Sequence, residues 1–189
     1  MRPTAPVSTI SPLASEIAAG VRDLPSARYD PVQSVQTDPD VFAPSALTIA
    51  RLDVTDAPVV PVGVTEIGEL DVPDPRTVGW YRYGASPGRP GSLVLAAHVD
   101  FNRVPGVFRR LTALMAGDEV SVTGADGHVW RYVVTERTMY DKDALPPDRV
   151  WARDGEPTLV LLTCGGQFNS QRRSFEQNIV VYARPAPPG

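Results

Sequence analysis

The sequence predicts an all-β domain, a barrel or sandwich of seven or eight short strands with one or two short helices. Three observations support this. The apolar runs are only four to six residues long and are bounded by Pro and Gly. Glu119–Thr123 and Val129–Val134 alternate in hydropathy on either side of Gly124-Ala125-Asp126-Gly127, the pattern of a β-hairpin with an Asp-Gly turn. Regular alternation of strand and helix, which a doubly wound sheet needs, is missing. There is no internal repeat.

In chain order, residues 1–45 stand apart. Seven prolines fall in them, Pro3, Pro6, Pro12, Pro25, Pro31, Pro39 and Pro44, and proline interrupts long elements. Leu13–Val21 is expected to form two helical turns, with Ser11 as cap and Pro12 at the first helical position. The remainder reads as an extended arm. From residue 46 the texture changes, so residues 46–189 are taken as the folded domain. Ala46–Ala50 alternates, and Val59–Val62 follows Pro58. Pro73, Pro75 and the stretch Gly84–Gly91 mark turns. Ser92–Ala97 is a short apolar strand. Val107, Leu111, Leu114 and Met115 have helical spacing and predict one short helix over 107–115. After the hairpin, Leu159–Thr163 and Asn178–Ala183 complete the strands.

Composition excludes several functions. Hydrophobic residues make up 42% of the 189, enough for a core, and the formal net charge is −4. That charge argues against a nucleic-acid surface, which needs a basic patch. No apolar run is long enough to cross a membrane as a helix, and Met1-Arg2-Pro3 does not begin a signal peptide. A single cysteine rules out an internal disulfide. One Cys and two His, His98 and His128, are too few and too far apart for a zinc site. Asp141, Asp143 and Asp148 are interspersed with Lys142, Pro146, Pro147 and Arg149 and read as a solvated loop. Neither a metal nor a cofactor is expected.

The residues with chemical potential lie at strand ends. Cys164 ends the apolar run Leu159-Val160-Leu161-Leu162-Thr163, and Gly165 and Gly166 stop the strand and leave room beside the sulfur. Taken alone, it could equally be a small buried hydrophobe. His98 ends a second apolar strand, Leu93–Ala97. Two reactive side chains at two strand ends can meet at one rim of a barrel, giving a thiol with an imidazole to exchange its proton. His128, beside the hairpin turn, reads as a solvated surface residue. Arg172 and Arg173 precede the last strand. A guanidinium there could stabilise an oxyanion near Cys164 but could not act as a base.

Over about residues 46–184 these residues fall into ordered blocks. They are Gly79-Trp80-Tyr81-Arg82-Tyr83-Gly84-Ala85-Ser86-Pro87-Gly88; Leu95-Ala96-Ala97-His98-Val99-Asp100; Phe108, Leu111 and Gly117-Asp118-Glu119-Val120; Leu162-Thr163-Cys164-Gly165-Gly166-Gln167-Phe168; and Phe175 with Asn178–Ala183. In this order they resemble the sortases, and most closely the class F sortases of actinobacteria, whose cysteine block carries the same Gly-Gly-X-Phe extension. Ala97 stands where the family commonly has Gly, and Glu176 where some relatives carry Arg.

The resemblance implies a closed β-barrel of about eight strands and a thiol transpeptidase. By it, Cys164 attacks the Thr carbonyl of a Leu-Pro-X-Thr-Gly-like sorting signal, and the Thr–Gly bond breaks to leave a thioacyl enzyme. His98 carries the proton to and from the amines, Arg173 (with Arg172 as the fallback) stabilises the oxyanion, and Thr163 shapes the substrate site. Alternatively, the side chain of Thr163 faces the other side of the strand. The implied partners are surface proteins bearing sorting signals and an amine acceptor such as a peptidoglycan precursor. The implied location is the outer face of the cell membrane, with an apolar anchor expected ahead of Met1. The arm 1–45 then serves as a stalk or as a lid over Cys164. The segment Thr138–Trp151 would flank the substrate groove. Two other readings of the residues are a cysteine protease or amidase using water as acceptor, and a non-catalytic secreted β-barrel binding module. The former would more often orient its His with Asn or Asp, for which only Asn178 is available.

Overall fold

In a computed structural model, residues 42–187 are described, except 67, 170, 172 and 173. The expectations for the arm, including the turns at Leu13–Val21, and for Arg172 and Arg173 lie outside the described residues.

Eight strands close a barrel. They are β1 (Pro44–Ile49), β2 (Val54–Val62), β3 (Val78–Tyr81), β4 (Ser92–Ala96), β7 (Glu119–Gly124), β8 (Val129–Asp141), β9 (Thr158–Asn169) and β10 (Ser174–Pro185). The order around the barrel is β1-β2-β3-β4-β9-β10-β8-β7, with β7 pairing back onto β1. The pairs β2–β3 and β4–β9 are parallel, and the other six are antiparallel. Closure removes exposed sheet edges. Between β4 and β7 lies a two-stranded hairpin of β5 (Asp100–Phe101) and β6 (Val104–Pro105). A single helical turn, α1 (Pro147–Val150), precedes β9.

Alternation along the strands gives two apolar clusters. Leu93, Leu95 and Ala97, Leu159 and Leu161, and Ile179, Val181 and Ala183 join the barrel interior with Leu47, Val78, Val122 and Tyr132. The intervening residues, Val94, Val160, Val180 and Tyr182, form an outer cluster with Tyr81 and Val150, against which Val64, Leu70, Leu145, Trp151 and Leu162 pack. The outer face of β3-β4-β9-β10 is therefore covered in part by two connections, one after β2 and one after β8.

The expected hairpin forms. Gly127 takes φ +81°, and its N–H donates to the Gly124 carbonyl over 3.0 Å. The expected helix over 107–115 does not. Its buried residues, Phe108, Leu111 and Leu114, recur every three positions. The matching N–H groups of Leu111, Ala113 and Leu114 donate to carbonyls three residues back. This is a 3-10 period, and it runs as turns with one short 3-10 helix at Leu111–Ala113. The segment Thr138–Trp151 is also less solvated than expected. Its first part, through Asp141, is strand paired with β10, and Val150 is fully buried. Arg149 closes α1 onto the barrel: its guanidinium lies 4.2 Å from the Tyr182 ring centroid and donates to Glu136 over 2.8 Å. Asp141, Asp143 and Asp148 are exposed, as read from the sequence.

Candidate active site

The parallel pairing of β4 with β9 runs the end of β4, just before His98, alongside the middle of β9, which continues through Gly165 and Gly166 to Asn169 rather than stopping at Cys164 as the sequence suggested, because pairing with β10 carries it on. The ladder runs Ser92↔Thr158, Leu93↔Leu159, Val94↔Val160, Leu95↔Leu161 and Ala96↔Leu162. The N–H of Ala97 continues it, donating to the Leu162 carbonyl over 3.3 Å. Continued two residues past its last pair, this register would bring His98 level with Cys164. Cys164 carries the parity of Val160 and Leu162 and so belongs to the outer face of the sheet. His98 and Cys164 are both half-buried.

Thr163 has the opposite parity. It is 3% exposed, and its hydroxyl donates to the Ala97 carbonyl over 2.6 Å. The Thr163 side chain thus lies on the far side of the strand from Cys164. The bond ties the chain just past β4 to the middle of β9, next to both His98 and Cys164 in sequence.

The glycines after the cysteine leave little room for a side chain unless those of Ile179 and Gln177 shift. A Cβ on Gly165 would lie 2.5 Å from Ile179 Cδ1, and one on Gly166 would lie 2.5 Å from Gln177 Oε1. Gly166 also takes φ +76°, which favours glycine. Here the β9–β10 register shifts, between Phe175 and Gln177. Beyond that irregularity Phe168 and Phe175 meet edge to face at 5.3 Å, and Phe168 is largely exposed.

Burial pushes the Cys164 thiol above its ordinary range. Lys142 draws it back down, and Glu69 pushes it further up. These two charges sit in the two connections that cover the outer face: Glu69 after β2, Lys142 after β8. The Lys142 N–H donates to the Glu176 carbonyl over 3.3 Å, fixing Lys142 beside β10. Neither residue stood out in the sequence, because their relation to Cys164 arises only from barrel closure.

His98 is held on its other side by the β5–β6 hairpin. The Phe108 N–H donates to the His98 carbonyl over 3.1 Å, and the Phe101 ring stacks on the imidazole at 4.9 Å and 28°. Asn178 pairs with Cys164 in the β9–β10 ladder. It therefore flanks the thiol, one strand further from His98. His128 is exposed at the hairpin tip, in edge contact with Trp130. Among the described residues no group of three or more His, Cys, Asp or Glu could hold a metal ion.

A sortase domain profile matches residues 47–186. The chain belongs to the sortase family. No curated protein is a significant match. Solved sortases share its fold. Sortase C1 of group B Streptococcus pilus island 1 superposes with TM-score 0.59 at 21% identity, covering 76% of this chain and 64% of that one. Sortase C-1 from Actinomyces oris gives TM-score 0.58 at 20% identity, over 76% of this chain and 73% of that one. The sortase D5 transpeptidase of Clostridium perfringens gives 0.57 at 19% identity, over 77% and 79%. This sortase thus spans just under two thirds of the group B Streptococcus enzyme. The barrel with eight strands and few, short helices is the sortase fold, as the sequence blocks implied. Among the described residues no helix is long and apolar enough to cross a membrane.

Proposed function

We propose that the chain is a cysteine transpeptidase that cleaves a Leu-Pro-X-Thr-Gly-like sorting signal between Thr and Gly and passes the acyl group to an amine. The observation that supports this reading is the β4–β9 register, which runs toward His98 on one strand and Cys164 on the other, within a domain of the sortase family.

In this reading the Cys164 thiolate attacks the Thr carbonyl carbon, and the C–N bond breaks. The imidazolium of His98 gives its proton to the departing Gly amine. An incoming amine then attacks the thioester, gives a proton to neutral His98, and Cys164 leaves as thiolate. Arg173, or Arg172 in its place, supplies the positive charge for the tetrahedral oxyanion. The natural substrates are surface proteins carrying sorting signals, the acceptor is a peptidoglycan precursor or a second protein, and the enzyme works at the outer face of the cell membrane. Sortase C of Streptococcus pneumoniae, a solved structural neighbour, has specificity for pilin substrates, which supports a surface-protein substrate here. The Gly165-Gly166-Gln167-Phe168 extension supports placement among the class F sortases.

The position of Asn178 weighs against a protease with an Asn-oriented His, since Cys164 lies between the two. Incubation with a sorting-signal peptide, with and without an added amine, tests the assignment. A transpeptidase yields the amine-ligated product in preference to the free acid. A protease yields the acid alone, with no effect of amine. A binding module yields neither.

A further inference from the structure

We propose that Phe101 is a positioning residue for the reaction, holding the His98 imidazole from a hairpin built for that purpose. The inference rests on the reading of His98 as proton carrier.

The hairpin is minimal. Phe101 pairs with Val104, and the two residues between them, Asn102 and Arg103, take φ 51° and 65°. Two successive left-handed residues make a type I′ turn, whose twist matches a tight hairpin. Asn tolerates this conformation, but Arg in it costs of order 1 kcal/mol. The strain is kept in a segment with little core to build, since Asp100, Phe101, Asn102 and Arg103 are all exposed.

What the turn achieves is a return of the chain against His98. Gly106 closes the base, its N–H donating to the Val99 carbonyl over 2.8 Å. A Cβ on Gly106 would overlap the His98 carbonyl oxygen, so the chain can pass there only as glycine. The Phe108 N–H then takes up that carbonyl. The backbone of His98 is clamped from this side, and that of its neighbour Ala97 by Thr163 from the other. Phe101 completes the clamp by covering one face of the imidazole at 4.9 Å and 28° while remaining 48% exposed itself. An aromatic ring left half in water gives up burial energy. Its stacking restricts rotation of the imidazole about its bond to Cβ and leaves the ring nitrogens at the edge free to exchange protons. A group that must deliver a proton and then accept one gains from such fixed orientation.

The test compares Phe101→Leu, which keeps apolar bulk, with Phe101→Tyr, which restores the ring. Imidazole proton resonances are read by NMR without substrate, with His128 as the internal reference. Leu is expected to remove the ring-current shift of the His98 protons, leave His128 unmoved, and lower kcat about tenfold with KM unchanged. Tyr is expected to restore both the shift and kcat. The Cys164 alkylation rate and the melting temperature are expected to stay at wild-type values. Unmoved His98 resonances in the Leu variant would overturn the proposal, as would an unchanged kcat or an effect confined to KM. The NMR readout needs no turnover. A wild-type chain that joins no peptide to an amine would overturn the transpeptidase reading, while the ring shift would still decide whether Phe101 holds His98.

Discussion

The Thr163 hydroxyl donates to the Ala97 carbonyl over 2.6 Å. Each of these residues immediately precedes one of the two candidate catalytic side chains. The contact is buried, so it locks the register of β4 against β9 where β4 ends just before His98 and β9 passes through Cys164. Replacing Thr163 with Val keeps the shape and removes the donor. The Ala97 carbonyl then loses its partner in a dry site, at a cost of about 1–3 kcal/mol. Denaturant unfolding is expected to show that loss, and peptide turnover to fall with it. Wild-type stability in the variant would show that the hydroxyl does not hold β4 to β9.

Gly106 bears on the same pair from the side of His98. Gly106→Ala places a methyl on the His98 carbonyl, so the backbone there must move. Such misplacement is expected to cost about 10²-fold in kcat/KM, while Cys164 still reacts with iodoacetamide. Turnover within twofold of wild type would show that the hairpin yields without disturbing His98.

The Cys164 thiol is pushed up by burial, pulled down by Lys142 and pushed up again by Glu69. Alkylation rate against pH should therefore have its midpoint above that of a free cysteine, about 8.5. Lys142→Met is expected to move the midpoint higher and Glu69→Gln to move it lower. The sign for stability follows. The folded state favours the neutral thiol, so this contribution is complete below the unfolded pKa and declines as pH rises through the folded one. A midpoint unmoved by either substitution would contradict the placement of these charges.

Arg149 pins α1 through Glu136 and the Tyr182 ring. Its partners hold the Glu136 carboxyl below the usual range, chiefly through the Arg149 hydrogen bond and then Thr138. Both members of the ion pair are nearly half exposed, so solvent screens it. Arg149→Gln is expected to cost about 0.5–1 kcal/mol at neutral pH. The difference from wild type is expected to shrink as pH falls and Glu136 protonates. A difference that persists in acid would assign the effect to the ring contact instead.

Much of the barrel was legible in the chain because most of its strands are short apolar runs with clear stops. Leu93–Ala97, Leu159–Thr163 and the hairpin around Asp126-Gly127 all appear where alternation or turn chemistry placed them. β3 was seen only as a Gly-Trp-Tyr block. All four of its residues, Val78–Tyr81, are buried, so it has no alternation to read. β8 ran on past Val134 through polar residues, because pairing with β10 overrides their propensity. Val107–Met115 misled because an apolar spacing of three or four suits a 3-10 turn as well as an α-helix.

The candidate site divides in the same way. Cys164 and His98 could be chosen by type and by their place after apolar runs, although β9 continues through Gly165 and Gly166 instead of ending at Cys164. Their adjacency depends on a pairing 66 residues apart, which local pattern does not encode. Phe101, Lys142 and Glu69 carry no motif. Phe101 is tied to His98 by a turn in which Arg103 occupies a conformation more typical of Gly or Asn, so the usual turn signal is absent.

The most direct measurement is the intact mass of the protein after incubation with a panel of sorting-signal peptides, followed by mapping of the modified residue. A cysteine nucleophile at position 164 predicts a thioester adduct there that carries the peptide up to and including Thr and disappears on adding an amine. It also predicts no adduct in Cys164→Ala, and accumulation of unreacted enzyme in His98→Ala. A folded protein that forms no adduct with any peptide, or one modified elsewhere than at Cys164, would contradict it.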